Sequence, residues 1–420
     1  MCKIVHLTSV HPRDDIRIFI KQCRTLAANR FDVTLIVADG KGSAYRDGVA
    51  IADVGRPKGR MSRIVSTTRR VFDKAIELDA DFYHLHDPEL IPVGLRLKRM
   101  GKTVIFDSHE DTSLQLMAKP YLGLVSRRVL SALFAAYERF ACSRLDGIIA
   151  ATPSIRDRFL AINPVTVDVN NFPMMGEFEP APPWSARSAE VCYVGAISGI
   201  RGIQQMVEAL DGMRSDIRLN LVGRFLDPAA EAAARAHPGW GRVVEWGVVD
   251  RAGLRDVMGR SMAGLVTLLP CPNHIDSLPT KMFEYMSAGI PVIASDFPLW
   301  RAIIEGSGCG ICVDPCDTKA IGAAIAYLVA HPEIARSMGE NGRRAVREKY
   351  NWDLEATRLI DFYKARSHAA QAISGFSHDV DDRQAAGGPV AVPSAAQSRQ
   401  RREKLQVLHQ AASEVQGRSE

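Results

Sequence analysis

Short β-branched runs alternate with longer helical patterns along this chain, in two successive series. A parallel strand pair needs a crossover of a dozen or more residues, normally a helix, so this alternation reads as βα units on a parallel sheet. The first series is KIVHLTS, DVTLIVA, FYHLH, TVIFDS and GIIAAT; the second is EVCYVGAI, RLNLVG, VVEWGV, AGLVTLL, PVIAS and GICVDP. Between them residues 163–188 carry many prolines and no helical period, which places an interdomain connection at about 172–188. A chain of 420 residues is longer than one compact core usually holds. The expected fold is therefore α/β, with two doubly wound Rossmann-like domains facing across a cleft. The expected bounds are 1–172 for the N-terminal domain, 173–188 for the linker and 189–350 for the second domain. An amphipathic packing helix at 351–366 follows, then a tail, 367–420, too poor in apolar residues to order itself.

With 46% hydrophobic and 24% charged residues the chain is neither wholly disordered nor collagen-like. Its apolar runs fall well short of the roughly 20 residues of a bilayer-spanning helix. The N-terminus passes from one lysine into a β-rich run without a small-residue cleavage site, so the expected compartment is the cytoplasm. Eight scattered cysteines read as reduced thiols; Cys309, Cys312 and Cys316 cluster, but on a buried strand and without a fourth ligand. No metal site is expected.

The net charge of +5 resides in the first half, where residues 1–180 hold 26 Lys and Arg against 21 Asp and Glu. Residues 55–72 carry Arg56, Lys58, Arg60, Arg63, Arg69 and Arg70 with no acidic residue. Such a run attracts phosphates of an anionic membrane face or of nucleic acid, unless it is a solvated helix face. Leu130, Leu133, Phe134, Tyr137 and Ala141 recur at helical spacing between Arg127, Arg128 and Arg139, a stripe that reads as domain core, with a lipid-facing surface as the alternative.

The strongest local signal is DSLPTKMFEYMSAGIPVIA, residues 276–294. Ser277 suits an N-cap, Pro279 a first helical turn, and Gly289 with Pro291 a helix end, giving a helix at about 279–288. Free N–H groups, the positive dipole end, Thr280 and Lys281 make an anion site fit for a diphosphate. Glu284, three residues after Lys281, can accept two hydrogen bonds from a ribose diol. The loop Gly195-Ala-Ile-Ser-Gly199-Ile-Arg201-Gly202 offers close backbone approach and a cation, and Gly223 and Arg224 end the next strand toward the same edge. Its spacing is not GxGxxG, so no nicotinamide or flavin is implied.

Taken together, YVGAISGIRG, LNLVGRF, DSLPTKMFEYMSAGIPVIAS, CGICVDP, HLTSVHPRDDIRIF, FYHLHDPEL and FDSHED resemble the retaining GT-B glycosyltransferases of family 4, the group that includes bacterial polysaccharide-assembly enzymes, over about residues 3–366. The resemblance implies that Asp276 and Glu284 bracket the donor, Glu284 at the ribose. It implies that Arg201 and Lys281, with Arg224, hold the diphosphate, and that His109 lies beside the reacting sugar. A histidine satisfied by Asp107 is the other reading of His109. Asp276 replaces the Glu of many members, and Ala196 and Arg201 stand where an Arg and a Lys are usual. On the acceptor side the candidates are His11, Asp15, Arg17 and Glu110. His84 and His86 share one strand face and are expected to make strand-end hydrogen bonds, and the Asp79-Ala-Asp81 pattern reads as chance.

The implied activity is retaining transfer of a sugar from a nucleotide diphosphate sugar to a glycan, soluble or lipid-linked, in polysaccharide biosynthesis. No cofactor or metal is implied; the expected partners are the nucleotide sugar and the acceptor, with an anionic membrane surface on the inner face of the cell membrane as a candidate and no nucleic acid. A nucleotide-sugar epimerase of the same fold and a catalytically silent nucleotide-sugar-binding protein are the alternatives.

Overall fold

The computed structural model describes residues 1–117, 123–179 and 183–367. The expected tail thus lies, from residue 368 on, outside the described residues. The first sheet has eight strands: β1 (Lys3–Leu7), β2 (Asp32–Val37), β3 (Ala44–Arg46), β4 (Val49–Asp53), β5 (Phe82–Leu85), β6 (Thr103–Ser108), β7 (Gly147–Ala150) and β8 (Thr166–Asp168), in the order β3-β4-β2-β1-β5-β6-β7-β8. All neighbours pair in parallel except β3 with β4. That hairpin, turning at Asp47 and Gly48, and β8 fall outside the expected strand runs; β3 and β8 have three residues each, too few for a readable period, and β4 is not among the expected runs.

The second sheet has six parallel strands: β9 (Glu190–Val194), β10 (Arg218–Val222), β11 (Val243–Gly247), β12 (Ala263–Val266), β13 (Val292–Ser295) and β14 (Gly310–Val313), in the order β11-β10-β9-β12-β13-β14. The strand order reverses at β1 in one sheet and at β9 in the other, so the loops leaving these two strands part from their neighbours and open a crevice. Both doubly wound domains of the expected fold are present.

The two domains are stitched twice. Phe172, just beyond β8, is inserted against Phe283 and Tyr350 of the second domain, with ring centroids 4.7 and 5.4 Å away. In the other direction, the helix over 352–367 returns Trp352, Leu359, Phe362 and Tyr363 to the core beneath β1 and β5. Trp352 donates its indole N–H to Thr25 Oγ1 (2.9 Å), and Glu355 accepts from the amide of Asn170 (2.8 Å).

Two surface expectations need correction. In the Leu124–Cys142 helix Ala141 alone of the stripe is buried; Phe134 and Tyr137 are half-buried, and Leu130 and Leu133 are exposed, as is Val129. Of the six basic residues at 55–72, Arg63 is paired with Glu89 (3.0 Å), and Arg70 donates to the carbonyl of Gly55 (3.0 Å) and to Thr67 (3.1 Å). Arg56, Lys58, Arg60 and Arg69 remain exposed, Arg69 at 3.9 Å from Asp73, beside exposed Met61, Ile64 and Val65. Among the described residues no helix is long and apolar enough to cross a membrane.

Candidate functional site

The second domain contributes three loops pressed together at the carboxyl ends of its strands. Gly195 follows β9 at φ 118°, and a Cβ on Gly223 would lie 1.9 Å from the Gly195 carbonyl oxygen. Gly202, at φ 80°, would place a Cβ 2.1 Å from the carbonyl oxygen of Thr267. No side chain fits at either crossing, so glycine is what lets these loops meet. A 3-10 turn, Gly199–Arg201, carries Arg201 into this corner.

Lys281 enters the same corner from the helix Thr280–Ala288. Its ammonium lies 3.8 Å over the Tyr193 ring and beside Gly195, and it has no hydrogen-bond partner among the described residues. Burial, reinforced by Arg201, pushes its pKa well below the usual lysine value against the pull of Glu284. A buried cation next to another cation, at a helix N-terminus, is stabilised by an anion.

The loop before this helix differs from expectation. Pro279, not Ser277, occupies the N-cap, and Ser277 Oγ donates to the carbonyl of His274 (2.8 Å). The main chain at Ser277 is pinned instead by Trp300, whose indole donates to its carbonyl (2.7 Å). Asp276 and Thr280 are exposed at the loop, and Arg224 is exposed beyond β10, its carbonyl accepting from the amide of Ile197 (3.0 Å). Glu284 meets a residue that the sequence did not single out: Arg251 reaches it at 3.0 Å and Glu177 at 3.2 Å. Lys21, also missed, donates to Asn171 Oδ1 (2.6 Å), and burial lowers its pKa to about 8 although Glu177 and Glu284 oppose this. No periodicity connects these four residues, which lie far apart in the chain.

In the first domain, Asp87 closes the loop after β1 by accepting from Thr8 Oγ1 (3.0 Å) and the Ser9 amide (2.6 Å). His11 binds Asp15 (3.0 Å) and lies 3.5 Å from Asp87. Burial alone would raise the Asp15 carboxyl, but His11 and the Ile18 amide hold it down at about 2. Asp15 also caps the π-helical turn Ile16–Cys23. Arg17 is a correction: it is buried, gripping Asp107 at 2.6 and 3.0 Å and the carbonyl of Val169 at 2.7 Å, so it faces the sheet and no acceptor. Its place on the inward side of that helical turn gives this orientation.

His109, partly exposed, sets Nε2 3.2 Å from Asp107 Oδ2, and its ring centroid lies 5.0 Å from that of His11. Glu110 is exposed next to it, its carbonyl accepting from Ser108 Oγ (3.2 Å). Behind them His86 contacts His6 (2.8 Å), and His84 contacts the Tyr363 hydroxyl (2.7 Å). Among the described residues two groups are close enough to share a cation, His6 with His84 and His86, and His86 with Asp107 and His109. In the second, Asp107 Oδ2 already accepts from Arg17 Nε and from Gln22 (2.8 Å). Asp79 ends a helix and pairs with Lys102, while Asp81 accepts from the Lys3 amide (2.8 Å), so neither carboxylate faces a ligand.

Residues 17–169 match the family described as Glycosyltransferase Family 4, and residues 176–345 match Glycosyl transferases group 1. The chain is similar to a phosphatidyl-myo-inositol mannosyltransferase of Mycobacterium leprae (strain TN), with 23% identity covering 82% of this chain and 88% of that protein. It is also similar to an MMP alpha-(1->4)-mannosyltransferase of Mycolicibacterium hassiacum, 23% identical over 68% of this chain and 71% of that protein. Among solved structures, sucrose-phosphate synthase from Thermosynechococcus elongatus aligns with a TM-score of 0.70 at 18% identity, covering 88% of this chain and all (100%) of that one. Anabaena HepE in complex with UDP-glucose aligns with a TM-score of 0.66 at 13% identity, over 87% of this chain and 100% of that one.

Proposed function

The chain is a GT-B glycosyltransferase of the family 4 and group 1 type, and on that premise we propose that it moves a sugar, with retention at the anomeric carbon, from a nucleotide diphosphate sugar to a glycan or lipid-linked glycan in polysaccharide assembly. The observation that carries the donor side of this reading is Lys281, a buried ammonium without a partner among the described residues, set beside Arg201 where glycines bring three loops together. A diphosphate supplies the missing counter-charge, and its leaving oxygen gains most from the helix end and the two cations as the glycosidic bond breaks. Glu284 then receives the ribose hydroxyls, Asp276 the donor sugar, and Thr280 and the Gly202 backbone line the phosphates, with Arg224 at the rim. His109 meets the reacting sugar, while His11, Asp15 and Glu110 border the acceptor. No metal or cofactor has a part in this reading.

The proposed acceptor end lies near the membrane. Exposed Arg56, Lys58 and Arg60 favour an anionic lipid face, and HepE and the mannosyltransferases above are the kind of relatives that support a nucleotide-sugar donor. The test is a thermal-shift screen of UDP-, GDP- and ADP-sugars followed by incubation of the best donor with soluble and lipid-linked glycans. The expected result is one stabilising nucleotide class and an acceptor-dependent product whose anomeric configuration equals that of the donor. Release of an epimerised sugar without acceptor would identify an epimerase, binding without turnover a silent binding protein, and an inverted product would end the retaining assignment.

A further inference from the structure

The ammonium of Lys281 is buried in the donor corner, and among the described residues no hydrogen-bond partner receives its protons. What it has instead is the face of Tyr193, with Nζ 3.8 Å from the ring centroid. A phenol ring carries partial negative charge over its face, so a cation placed there is attracted, and more strongly where water is excluded. Tyr193 is itself fully buried on β9, two residues before Gly195.

The ring is fixed in this pose. Its hydroxyl donates to the carbonyl of Ala196 (2.8 Å), which ties the far end of the ring to the loop that follows β9. Arg201 lies against the same hydroxyl: burial raises the pKa of the phenol to about 12, and the guanidinium opposes that rise. On the other side of the ammonium a Cβ at Gly195 would already touch Nζ at 3.4 Å, so the loop backbone itself walls the lysine there. Tyr193 thus serves both cations of the corner, Lys281 at its face and Arg201 at its oxygen. The protons of Nζ meet no protein acceptor and are left for an anion.

We propose that Tyr193 is a positioning residue of the donor site, whose ring holds the Lys281 ammonium in place before the diphosphate arrives. The proposal deepens the donor reading of this corner and rests on it. The charged and titratable groups around Lys281 are Tyr193 from β9, Arg201 from the turn after it, His274 from the loop before the lysine's helix and Glu284 from that helix. Burial and Arg201 favour the neutral amine, whereas Glu284 and the ring face favour the ammonium. Removing the ring should therefore let Lys281 lose its proton at a lower pH, and removing the hydroxyl alone should not.

The test is calorimetry of inorganic pyrophosphate and of UDP between about pH 7 and pH 10, each variant compared with the wild type at the same pH so that ionisation of the ligand cancels. Tyr193→Leu should bind about tenfold more weakly at neutral pH, and its deficit should widen as pH rises because more of its Lys281 is neutral. Tyr193→Phe keeps the ring face and should lose about threefold, with a deficit that stays constant. In a Lys281→Met background the Tyr193→Leu change should cost less than about twofold, since the two substitutions remove one contact. A Tyr193→Leu deficit that is flat with pH, or that persists in full without Lys281, refutes the proposal. Should Tyr193→Leu fail to fold, the wild type decides. The 13C-labelled ring carbons of Tyr193, assigned by their loss in Tyr193→Phe, should shift with an ionisation below that of exposed lysines, and the shift should vanish in Lys281→Met. Its persistence there, or its absence from the wild type, refutes the proposal. Failure of the wild type to bind pyrophosphate or any nucleoside diphosphate refutes the donor reading and this proposal with it, whereas binding with a flat deficit refutes the proposal alone.

Discussion

Arg251 Nη1 lies 3.0 Å from Glu284 Oε1, so the carboxylate expected at the ribose is held by a cation that also grips Glu177 in the connection between the domains. A ribose diol can bond Glu284 while Arg251 keeps its place, because a carboxylate has about four acceptor positions. Glu284→Ala should lower kcat/KM by roughly 30- to 1,000-fold, the equivalent of about 2–4 kcal/mol, in a folded protein. Arg251→Ala should cost no more than about tenfold, since it removes an orienting contact. Wild-type kinetics in Glu284→Ala would remove the donor reading, and a larger loss in Arg251→Ala would make Arg251 the nucleotide ligand.

Lys281 gives donor binding a pH dependence. Its pKa is lowered by burial and by Arg201, and a bound diphosphate pulls it back up. Binding therefore takes up protons once the free protein begins to lose this one, and affinity falls as pH rises at values where an ordinary lysine is still charged. Calorimetry of nucleoside diphosphate binding in buffers of different ionisation heat at alkaline pH should show that uptake. Lys281→Met should abolish both it and most of the affinity.

If Lys281, Arg201 and the helix N-terminus stabilise the leaving diphosphate, EDTA should leave most activity in place. A complete loss restored by magnesium would assign that work to a metal ion.

The Arg17–Asp107 pair should be decisive for folding. Arg17→Met leaves a buried carboxylate without its counter-charge, a change that costs about 3–5 kcal/mol and is readable in a denaturant titration. The Asp107 carboxyl is held well below its ordinary value, since Arg17 and the two histidines outweigh burial. A depressed carboxyl contributes stability that is complete above the unfolded value near about 4 and is lost as pH falls through the folded value. The variant should consequently unfold at a higher pH than the wild type during acid titration; equal midpoints would refute the account.

Binding to an anionic membrane should depend on Arg56, Lys58, Arg60 and Arg69 rather than on Arg63 and Arg70, which are occupied within the fold. Gln at the first four positions should reduce co-sedimentation with anionic vesicles, and high salt should release the wild type. Ser at Met61, Ile64 and Val65 should weaken what salt does not, because these side chains are exposed where a lipid surface would meet them. Equal binding to neutral and anionic vesicles would sink the electrostatic account.

Much of this architecture was legible because it is local. The runs KIVHL and EVCYV become β1 and β9 since their residues are apolar on both faces, as strands covered by helices must be. Gly195, Gly202 and Lys281 stood out because positive φ, loop crossing and a helix start each demand a residue type at one position. Short elements escaped the same reading: β3 and β8 have three residues each, fewer than any period can mark. Other relations belong to the tertiary structure alone. Arg17 and Asp107 are 90 residues apart, Trp352 and Thr25 are 327, and Glu284 finds Arg251 from another helix. A charge in sequence states only what a side chain can do. Whether Arg17 meets a ligand or a buried carboxylate is decided when packing removes water from one face of its helical turn, and that depends on chain segments no local pattern encodes.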